Sequence, residues 1–494
     1  MVVESKGDGN AAEYLDVLLL CAAPLDVRPA LNLAVEVANF EAEVRRSLIP
    51  IRLRRVVPPT LEQLQRELSP PALRQRAPRV FHFLGHGEED YLWFEDEEGS
   101  GVKVTAARLR RLLGGKPIRL ALLNACWSAT PRVKSLCEHL VEGAGLATAI
   151  GHGKPVDDAS AIAFARRFYA EITRGQPVGR AYFAARNALA EKGLPGASEI
   201  DLTGDGDLRL DEGLAPGERP GRVEDGMPTR GYLPGADFFC GREEEFRQVA
   251  RTLADPQTRG FGLWGMGGIG KTALAKEAAR RNAWRFLDGG VVFFDAREVA
   301  PATTAELLRR TLARLDPAAR GDDPVSELVT RLNAAPGLIV LDNLEALPES
   351  EYDALARFTA QVPRNGFHVL MTARAPIEPI EALPDVPTRL LTTGLHEIDG
   401  AHYAHRLAET KGVALLRDDP PRVEAGQIRG LCARVSRRVS GHPRMIEVAV
   451  GVARRGREVL DKALDKLKGD LETKLAEMLA TGLALVGDEG RRLL

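Results

Sequence analysis

Short apolar runs alternate with segments whose apolar residues recur at helical spacing along the first part of the chain. Buried strands are predicted at 14–21, 51–57, 80–84, 118–123 and 146–150, and helices at 31–48, 60–68 and 159–173. Strands that alternate with helices imply a mainly parallel sheet with both faces covered. The pattern therefore predicts an α/β fold for this part of the chain.

The same alternation resumes after a change in composition. Between 191 and 235 the residues Gly, Pro, Asp and Glu dominate and apolar periodicity fades, which indicates a linker at 213–235. Strands are then predicted at 261–264, 291–294, 337–341 and 368–371, with helices between them. After about Glu397 the pattern is purely helical, and its last helix, over 470–480, is predicted to end at Gly482.

Composition excludes several classes of protein. The 494 residues carry a formal net charge of −2, so no global field favours nucleic acid or an anionic membrane as a partner. No apolar stretch approaches the roughly 18 residues of a membrane span, and residues 1–10 lack the apolar core of a signal peptide. The five cysteines form no CxxC pair, which argues against a disulfide framework or a zinc site. We therefore expect a cytoplasmic protein of about three domains.

One glycine-rich segment matches the full phosphate-binding pattern G-x-x-x-x-G-K-[ST] between a predicted strand and a predicted helix. Its backbone N–H groups would surround the phosphates of ATP or ADP. Lys271 would neutralise the β- and γ-phosphates, and Thr272 would hold Mg²⁺. The nucleotide-binding residues predicted here are Gly265, Gly267, Gly268, Ile269, Gly270, Lys271 and Thr272.

Two later strands end in polar residues that fit the same site. Asp342 follows the apolar run 338–341 and would hold Mg²⁺ together with Thr272. Arg374 follows the run 369–371 and would lie at the carboxyl edge of the sheet, where it could sense the γ-phosphate. The alternatives are an ordinary strand end for Asp342 and a surface arginine for Arg374.

These segments, with the Gly241-Arg242 pair upstream and Gly441-His442-Pro443 downstream, resemble the STAND ATPases, the NB-ARC-like signalling switches. The resemblance covers about residues 236–475. It implies that Gly241 and Arg242 line the nucleobase and that Pro443 packs on the adenine in a closed ADP form. It also implies a switch between ADP-bound monomers and ATP-bound oligomers.

One residue departs from that pattern. Many STAND relatives carry a second acid after the aspartate of the strand, whereas this chain has Asn343. An asparagine cannot take a proton from water, and Glu345 has the wrong spacing to replace the acid. We therefore expect slow hydrolysis, which suits a switch.

A histidine and a cysteine in the first part of the chain suggest nucleophilic catalysis. His86 and Cys126 each follow a predicted parallel strand, so they would meet at one sheet edge if those strands are neighbours. A thiol attacks a peptide carbonyl as thiolate and needs a base nearby. The backbone N–H groups of Gly87 and Cys126 would stabilise the oxyanion. The alternative is a buried structural cysteine.

The segments Phe83-Leu84-Gly85-His86-Gly87 and Leu123-Asn124-Ala125-Cys126-Trp127-Ser128 resemble the two catalytic segments of CHAT domains, caspase-like peptidases related to separase. The resemblance covers about residues 14–211. It implies a caspase-like three-layer α/β fold, with Cys126 as nucleophile and His86 as base. Asp157 or Asp158 would shape the substrate pocket, although a solvated loop explains these two acids equally well. His82 is expected to be a packed core histidine.

A near-match to a calcium-binding loop runs from Asp201 to Glu212. It has acids at positions 1, 5 and 12 and Gly206 at position 6, but Thr203 departs from the pattern at position 3. No convincing pair of helices flanks it, so we expect no EF-hand.

Together these features predict five segments and one function. A peptidase domain is expected at 1–212, a linker at 213–235, a P-loop α/β domain at 236–395, a helical domain at 396–474, and the start of a truncated winged-helix domain at 475–494. The predicted protein is an ATP-switched cysteine endopeptidase that oligomerises and cleaves a protein substrate, plausibly in bacterial antiphage defence or regulated cell death. Its trigger would act through a missing sensor or a separate partner.

Two other functions stay open. One is a nucleotide-dependent scaffold whose peptidase-like domain is inactive and only recruits partners. The other is a STAND-type transcriptional regulator, against which the sequence shows no DNA-binding helix pair and no basic stripe.

Overall fold

The structure is a computed structural model, and the chain divides into two compact units. The first comprises Met1–Val27 and Leu31–Gly226, and the second Arg28–Ala30 and Met227–Leu494. The residues that the structure describes are 14–28, 31, 37, 40–42, 44–46, 49–75, 77–88, 90–125, 135–153, 158–194, 196–214, 222–224, 231–232, 238–316, 323–424 and 427–485.

A seven-stranded sheet forms the centre of the first unit, in the spatial order β10-β2-β1-β3-β7-β8-β9. Neighbouring strands are parallel except β8 and β9, which pair antiparallel. A separate antiparallel sheet of β4, β5 and β6 follows β3. The strands are β1 (Leu15–Ala22), β2 (Ile51–Arg55), β3 (Val80–Gly85), β4 (Gly87–Glu88), β5 (Tyr91–Glu95), β6 (Gly101–Thr105), β7 (Leu120–Asn124), β8 (Thr148–His152), β9 (Ile200–Gly204) and β10 (Arg222–Glu224).

Hydrophobic cores lie on both faces of this sheet. Phe81 and Phe83 of β3 belong to one core, and Leu84 of the same strand belongs to the other with Phe164 and Phe168. The split follows from strand alternation and confirms the prediction of a sheet with two covered faces. The helices are α1 (Leu61–Glu67), α2 (Pro70–Gln75), α3 (Ala106–Leu113), α4 (Leu136–Glu138), α5 (Asp158–Ile172) and α6 (Val178–Glu191). Only parts of the predicted helix 31–48 lie among the described residues.

The second unit contains a parallel six-stranded sheet in the order β11-β13-β14-β15-β12-β16. Its strands are β11 (Gly231–Tyr232), β12 (Gly260–Gly265), β13 (Val291–Asp295), β14 (Leu338–Asp342), β15 (His368–Ala373) and β16 (Thr388–Leu391). The helices that alternate with them are α7 (Glu243–Ala254), α8 (Lys271–Asn282), α9 (Thr304–Leu315), α10 (Pro324–Ala334), α11 (Tyr352–Gln361) and α12 (Glu378–Glu381). This is the mixed α/β architecture that the periodicity predicts.

The last part of the unit is mostly helical. It consists of α13 (Glu397–Lys411), α14 (Ala414–Arg417), the antiparallel strands β17 (Arg422–Glu424) and β18 (Gln427–Arg429), α15 (Leu431–Arg438), α16 (Pro443–Ala453), α17 (Arg457–Lys466) and α18 (Leu471–Leu485).

Two details of the sequence prediction are wrong in this helical part. The pattern after Glu397 is not purely helical, because Val423 and Ile428 pair in a hairpin of three-residue strands, too short for periodicity to detect. Gly482 does not end the last helix, which continues to Leu485. A Cβ at Gly482 would lie 2.8 Å from Cγ1 of Val448, so this glycine permits close helix packing instead.

The segment with the near-match to a calcium loop is a strand at its start. Asp201 lies in β9, paired with Gly151 of β8, so the acids do not form an EF-hand loop. Within the described residues there is no group of three or more His, Cys, Asp or Glu side chains that could hold a metal ion. A membrane-crossing helix is likewise not found among the helices described above, because none is long and apolar enough.

Candidate functional site

The glycine-rich segment of the second unit is a tight loop between β12 and the N-terminus of α8. Gly268 has φ of +76° and Gly270 has φ of +109°, the left-handed region that glycine adopts without steric cost. Helix α8 begins at Lys271 and runs for 12 residues, so its N-terminal N–H groups and dipole favour an anion at the loop.

Donors from three directions hold the carbonyl groups of this loop. The Lys271 ammonium donates to the carbonyls of Gly265 (2.6 Å) and Met266 (3.1 Å). The backbone N–H of Arg444 donates to Gly268, at 3.3 Å. The Arg242 guanidinium donates to Ile269, at 2.9 Å. The loop is therefore fixed through its carbonyl groups before any anion binds.

Lys271 is itself an electrostatically perturbed group. Burial lowers its pKa, while the nearby carboxylates of Glu345 and Asp342 oppose that shift. Phosphate oxygens would add negative charge beside the ammonium and favour its charged form. The lysine is therefore suited to an anionic ligand.

Asp342 ends β14 as a carboxylate only 1% exposed. The Thr272 hydroxyl lies 3.0 Å from both of its oxygens, and the Thr372 hydroxyl of β15 donates to Oδ1 at 2.5 Å. Burial raises the pKa of Asp342, and these hydroxyl hydrogen bonds only partly counter it. A divalent cation would compensate the buried charge, and Mg²⁺ prefers oxygen ligands of this kind. The residues present therefore fit Mg²⁺.

Asn343 adopts a left-handed backbone conformation with φ of +58°, which asparagine tolerates better than most residues. Its backbone N–H donates to the Thr372 hydroxyl at 3.0 Å, and its Nδ2 donates to Oδ2 of Asp342 at 2.9 Å. The residue at the position of the absent second acid thus holds the buried carboxylate in place.

Arg374 lies just beyond the C-terminal end of β15, at the predicted edge, with a side chain 71% exposed. Its Nε donates to Oε1 of Glu345 at 3.0 Å. Its charge contributes to lowering the pKa of Lys271. Arg374 is therefore close enough to the loop to act on Lys271, and its guanidinium is hydrogen-bonded to the Glu345 carboxylate.

Arg242 has φ of +63°, and its guanidinium donates to the Thr393 carbonyl (2.7 Å) as well as to Ile269. Its side chain is only 4% exposed, so the guanidinium serves as a clamp on the loop. The adjacent Gly241 also has positive φ, at +68°, and packs against Leu395 and Asp399.

The Gly441-His442-Pro443 segment lies directly against the phosphate-binding loop. A Cβ at Gly270 would lie 3.8 Å from Cγ of Pro443, and one at Gly268 would lie 3.1 Å from Cε1 of His442. His442 is fully buried and its ring accepts the Met445 N–H at the start of α16, at 3.4 Å. Burial lowers the pKa of His442 to about 4, so the ring is neutral near pH 7. Sequence reasoning assigned no role to this histidine.

In the first unit, β3 and β7 are parallel neighbours, with Leu84 opposite Asn124. His86 follows β3 directly, and Gly87 is the first residue of β4, buried and paired with Leu92. The ends of β3 and β7 therefore lie at one edge of the sheet, which is the condition on which the proposed meeting of His86 and Cys126 depends. Cys126 and Asp157 lie outside the described residues, and Asp158 is the first residue of α5.

A buried polar pair lies at the same sheet edge. Nε2 of His152, the last residue of β8, is 2.8 Å from Oδ1 of Asn124, the last residue of β7. Burial lowers the pKa of His152 to about 4. Sequence reasoning missed this histidine, although it ends an apolar run beside β7.

His82, in the middle of β3, is the packed core histidine that alternation predicts. It is fully buried, with Nδ1 3.1 Å from the Tyr169 hydroxyl, and burial lowers its pKa to about 3.

The comparisons with known proteins agree with the first unit's resemblance. Residues 7–195 match the family model of the CHAT domain, so this part of the chain is similar to CHAT domains. No curated protein matches the sequence of the chain.

Solved structures resemble the chain only distantly. Domain III of the Thermotoga maritima replication initiation protein DnaA is 10% identical, with 49% of this chain and 93% of that chain covered and a TM-score of 0.30. C. elegans PCH-2 is 10% identical, with 58% of this chain and 85% of that chain covered and a TM-score of 0.33. Cdc6p from Pyrobaculum aerophilum is 12% identical, with 47% of this chain and 64% of that chain covered and a TM-score of 0.32.

Proposed function

We propose that this protein is a nucleotide-switched cysteine endopeptidase, in which a STAND-type module controls a caspase-like CHAT domain. The observation that carries the proposal is the nucleotide site, in which the Lys271 ammonium donates to the Gly265 carbonyl of the loop and the Thr272 hydroxyl donates to Asp342. Residues 7–195 of the same chain match the CHAT family model. The family comparison and the adjacency of β3 and β7 support the peptidase part of the proposal.

In the proposed peptidase, His86 takes the proton of the Cys126 thiol, and the thiolate attacks the scissile carbonyl. The backbone N–H groups of Gly87 and Cys126 stabilise the oxyanion of the tetrahedral intermediate. His86 then returns the proton to the leaving amine, and water releases the acyl group. Asp157 or Asp158 would favour a basic side chain at the cleavage position.

In the proposed switch, the loop from Gly265 to Thr272 binds the phosphates of ATP or ADP. Bound Mg²⁺ would supply positive charge beside the β- and γ-phosphates. Thr272 and Asp342 would hold it, Arg374 would approach the γ-phosphate, and Pro443, with Gly241 and Arg242, would form the nucleobase side. Asn343 makes hydrolysis slow, so that an ATP-bound oligomer persists and brings peptidase domains together.

Mapping of new protein N-termini in cells that express the chain tests this proposal. We expect termini that appear with the wild type and vanish with both Cys126→Ala and Lys271→Ala. Cys21→Ala is the matched control, because Cys21 lies near the end of the neighbouring strand β1 and is partly buried. Signalling that survives Cys126→Ala would support the inactive-peptidase scaffold instead.

A further inference from the structure

A second carboxylate lies beside Asp342 at the edge of the nucleotide sheet. Asp295 is the last residue of β13 and is paired in register with Asp342, the last residue of β14. The Cα atoms of neighbouring strands lie roughly 5 Å apart, so both carboxylates emerge from the same edge. The phosphate-binding motif and the STAND resemblance assign no role to Asp295.

Asn343, which follows Asp342 in the chain, lies at the same edge. Its Nδ2 donates to Oδ2 of Asp342 at 2.9 Å. Its side chain also acts to lower the pKa of Asp295. An amide nitrogen has two N–H donors, so one N–H of Asn343 remains for a second acceptor at this edge.

Arg297 holds Asp295 from the other side. Its Nε lies 3.0 Å from Oδ1 and 3.1 Å from Oδ2, its Nη2 donates to Oδ2 at 2.6 Å, and its backbone N–H donates to Oδ1 at 3.0 Å. The guanidinium and the backbone N–H of Arg297 thus hold the Asp295 carboxylate in a charge-assisted ion pair. A carboxylate held in this way can still accept further hydrogen bonds.

We propose that Asp295 is a positioning residue of the divalent-cation site: it accepts hydrogen bonds from the water ligands of the cation that Thr272 and Asp342 hold. Mg²⁺ bound by few protein oxygens and by phosphates keeps several waters, and those waters need fixed acceptors. The inference rests on the proposed nucleotide function. It is independent of the peptidase, and it gives the missing second acid a substitute on the neighbouring strand.

The competing explanation is that Asp295 and Arg297 form an ion pair with a purely structural role. Two variants distinguish the explanations, one that removes the negative charge and one that removes the positive charge. Asp295→Asn keeps the shape and removes the anion, whereas Arg297→Gln keeps the anion and removes its neutralising partner. A cation site should lose affinity with the first variant and keep or gain affinity with the second. A structural pair should respond to both in the same direction.

The experiment uses the full chain with ADP. Mn²⁺ affinity is measured from the free-ion signal in electron paramagnetic resonance, and binding of a fluorescent ADP analogue is measured in EDTA. For Asp295→Asn we expect Mn²⁺ affinity to fall about tenfold, as is typical when a partner beyond the direct ligands is lost. Nucleotide affinity in EDTA should change less than about twofold, because the hydrogen bonds found for Asp295 within the described residues are with Arg297 and not with the loop. Melting temperatures show whether each variant is folded.

Three results would overturn the assignment. Unchanged Mn²⁺ affinity in Asp295→Asn, with wild-type binding intact, would remove Asp295 from the site and leave the proposed function standing. An equal loss of Mn²⁺ affinity in Arg297→Gln would establish the structural ion pair. A wild-type chain that binds no ADP even with Mn²⁺ would overturn the proposed function, and the assignment with it.

Discussion

The two units place their candidate chemistry at the same kind of position, the carboxyl edge of a parallel sheet, but they differ in charge. At the edge of the first unit, the described buried pair is an amide and an imidazole, Asn124 and His152, and burial keeps the imidazole neutral. At the edge of the second unit, the buried or half-buried groups are charged, with Lys271 and Asp342 only 6% and 1% exposed. An imidazole that stays neutral can hold a position by hydrogen bonding, whereas phosphate and cation binding need charged groups. The described groups at the second edge therefore suit an anionic ligand and its cation, while the proton transfer proposed for the first unit depends on His86 and Cys126.

The largest effect is expected from removing His86, the proposed general base of the first unit. His86→Ala should lower the rate at which the chain generates new N-termini by about 10³-fold, because a positioned general base contributes about 10²–10⁴-fold. Quantitative mass spectrometry of cleaved proteins measures it. His139→Ala changes a partly buried histidine of the same unit and should keep the wild-type rate. A variant at His86 that cleaves as fast as the wild type would contradict the dyad.

The next largest effect is expected from removing the positive charge of Lys271 in the second unit. Lys271→Ala should weaken ATP binding at least about 100-fold, because charge-assisted hydrogen bonds to two phosphates are lost. Isothermal titration calorimetry in Mg²⁺ measures the affinity. Lys276→Ala is the matched control, because Lys276 lies on the same helix with its ammonium over the Phe293 ring. Similar affinities for both variants would mean that the loop does not bind the phosphates.

Low pH should lower the stability of the first unit, because the buried His152 is neutral in the folded chain. The pKa of His152 is lowered to about 4 by burial, from 6.5 in an exposed histidine. Below pH 6.5 the unfolded chain binds the proton and the folded chain does not, so this contribution to stability is complete above about pH 6.5 and is lost as the pH falls towards 4. Between pH 7 and 5 the wild type should lose roughly 2 kcal/mol more free energy of unfolding than His152→Gln.

Urea denaturation at the two pH values measures that difference. His139→Gln should lose as much free energy of unfolding between pH 7 and 5 as the wild type, since it leaves the Asn124–His152 pair intact. Equal losses for the wild type and His152→Gln would show that the imidazole is not kept neutral in the folded chain.

The smallest effect is expected from replacing Asn343, whose amide is hydrogen-bonded to Asp342. Asn343→Asp replaces the donor that lies 2.9 Å from Oδ2 of Asp342 with a like charge, and should lower stability by about 1–2 kcal/mol without nucleotide. Asn343→Gly keeps the positive φ and removes only the amide, so its loss should be about half as large. Thermal denaturation ranks the variants. A more stable Asn343→Asp would mean that the amide of Asn343 does not stabilise the Asp342 carboxylate.

Much of the architecture could be predicted because its signals are local. The apolar runs before His86 and Gly265 predict β3 and β12, and the glycines and Lys271 predict the loop before α8. The sequence left open whether β3 and β7 are neighbours, and their register shows that they are.

The remaining features depend on contacts between distant residues. The pairing of Asp295 with Asp342 and of His152 with Asn124 is fixed by strand order, which no single segment encodes. The carbonyl clamp made by Arg242 likewise requires three separate segments to meet. Gly482 lies within the last helix where Val448 of another helix leaves no room for a Cβ, a contact that local periodicity does not reveal.

The most direct test of the central claim needs no knowledge of the substrate. Alkylation of each cysteine in the full-length chain at pH 7 is followed by mass spectrometry, with Mg²⁺-ATP, with ADP and without nucleotide. We predict that Cys126 reacts fastest, that ATP and ADP give different rates, and that Lys271→Ala abolishes this difference while His86→Ala slows Cys126 alone. A Cys126 that reacts no faster than Cys21 and is indifferent to nucleotide would contradict a peptidase under nucleotide control.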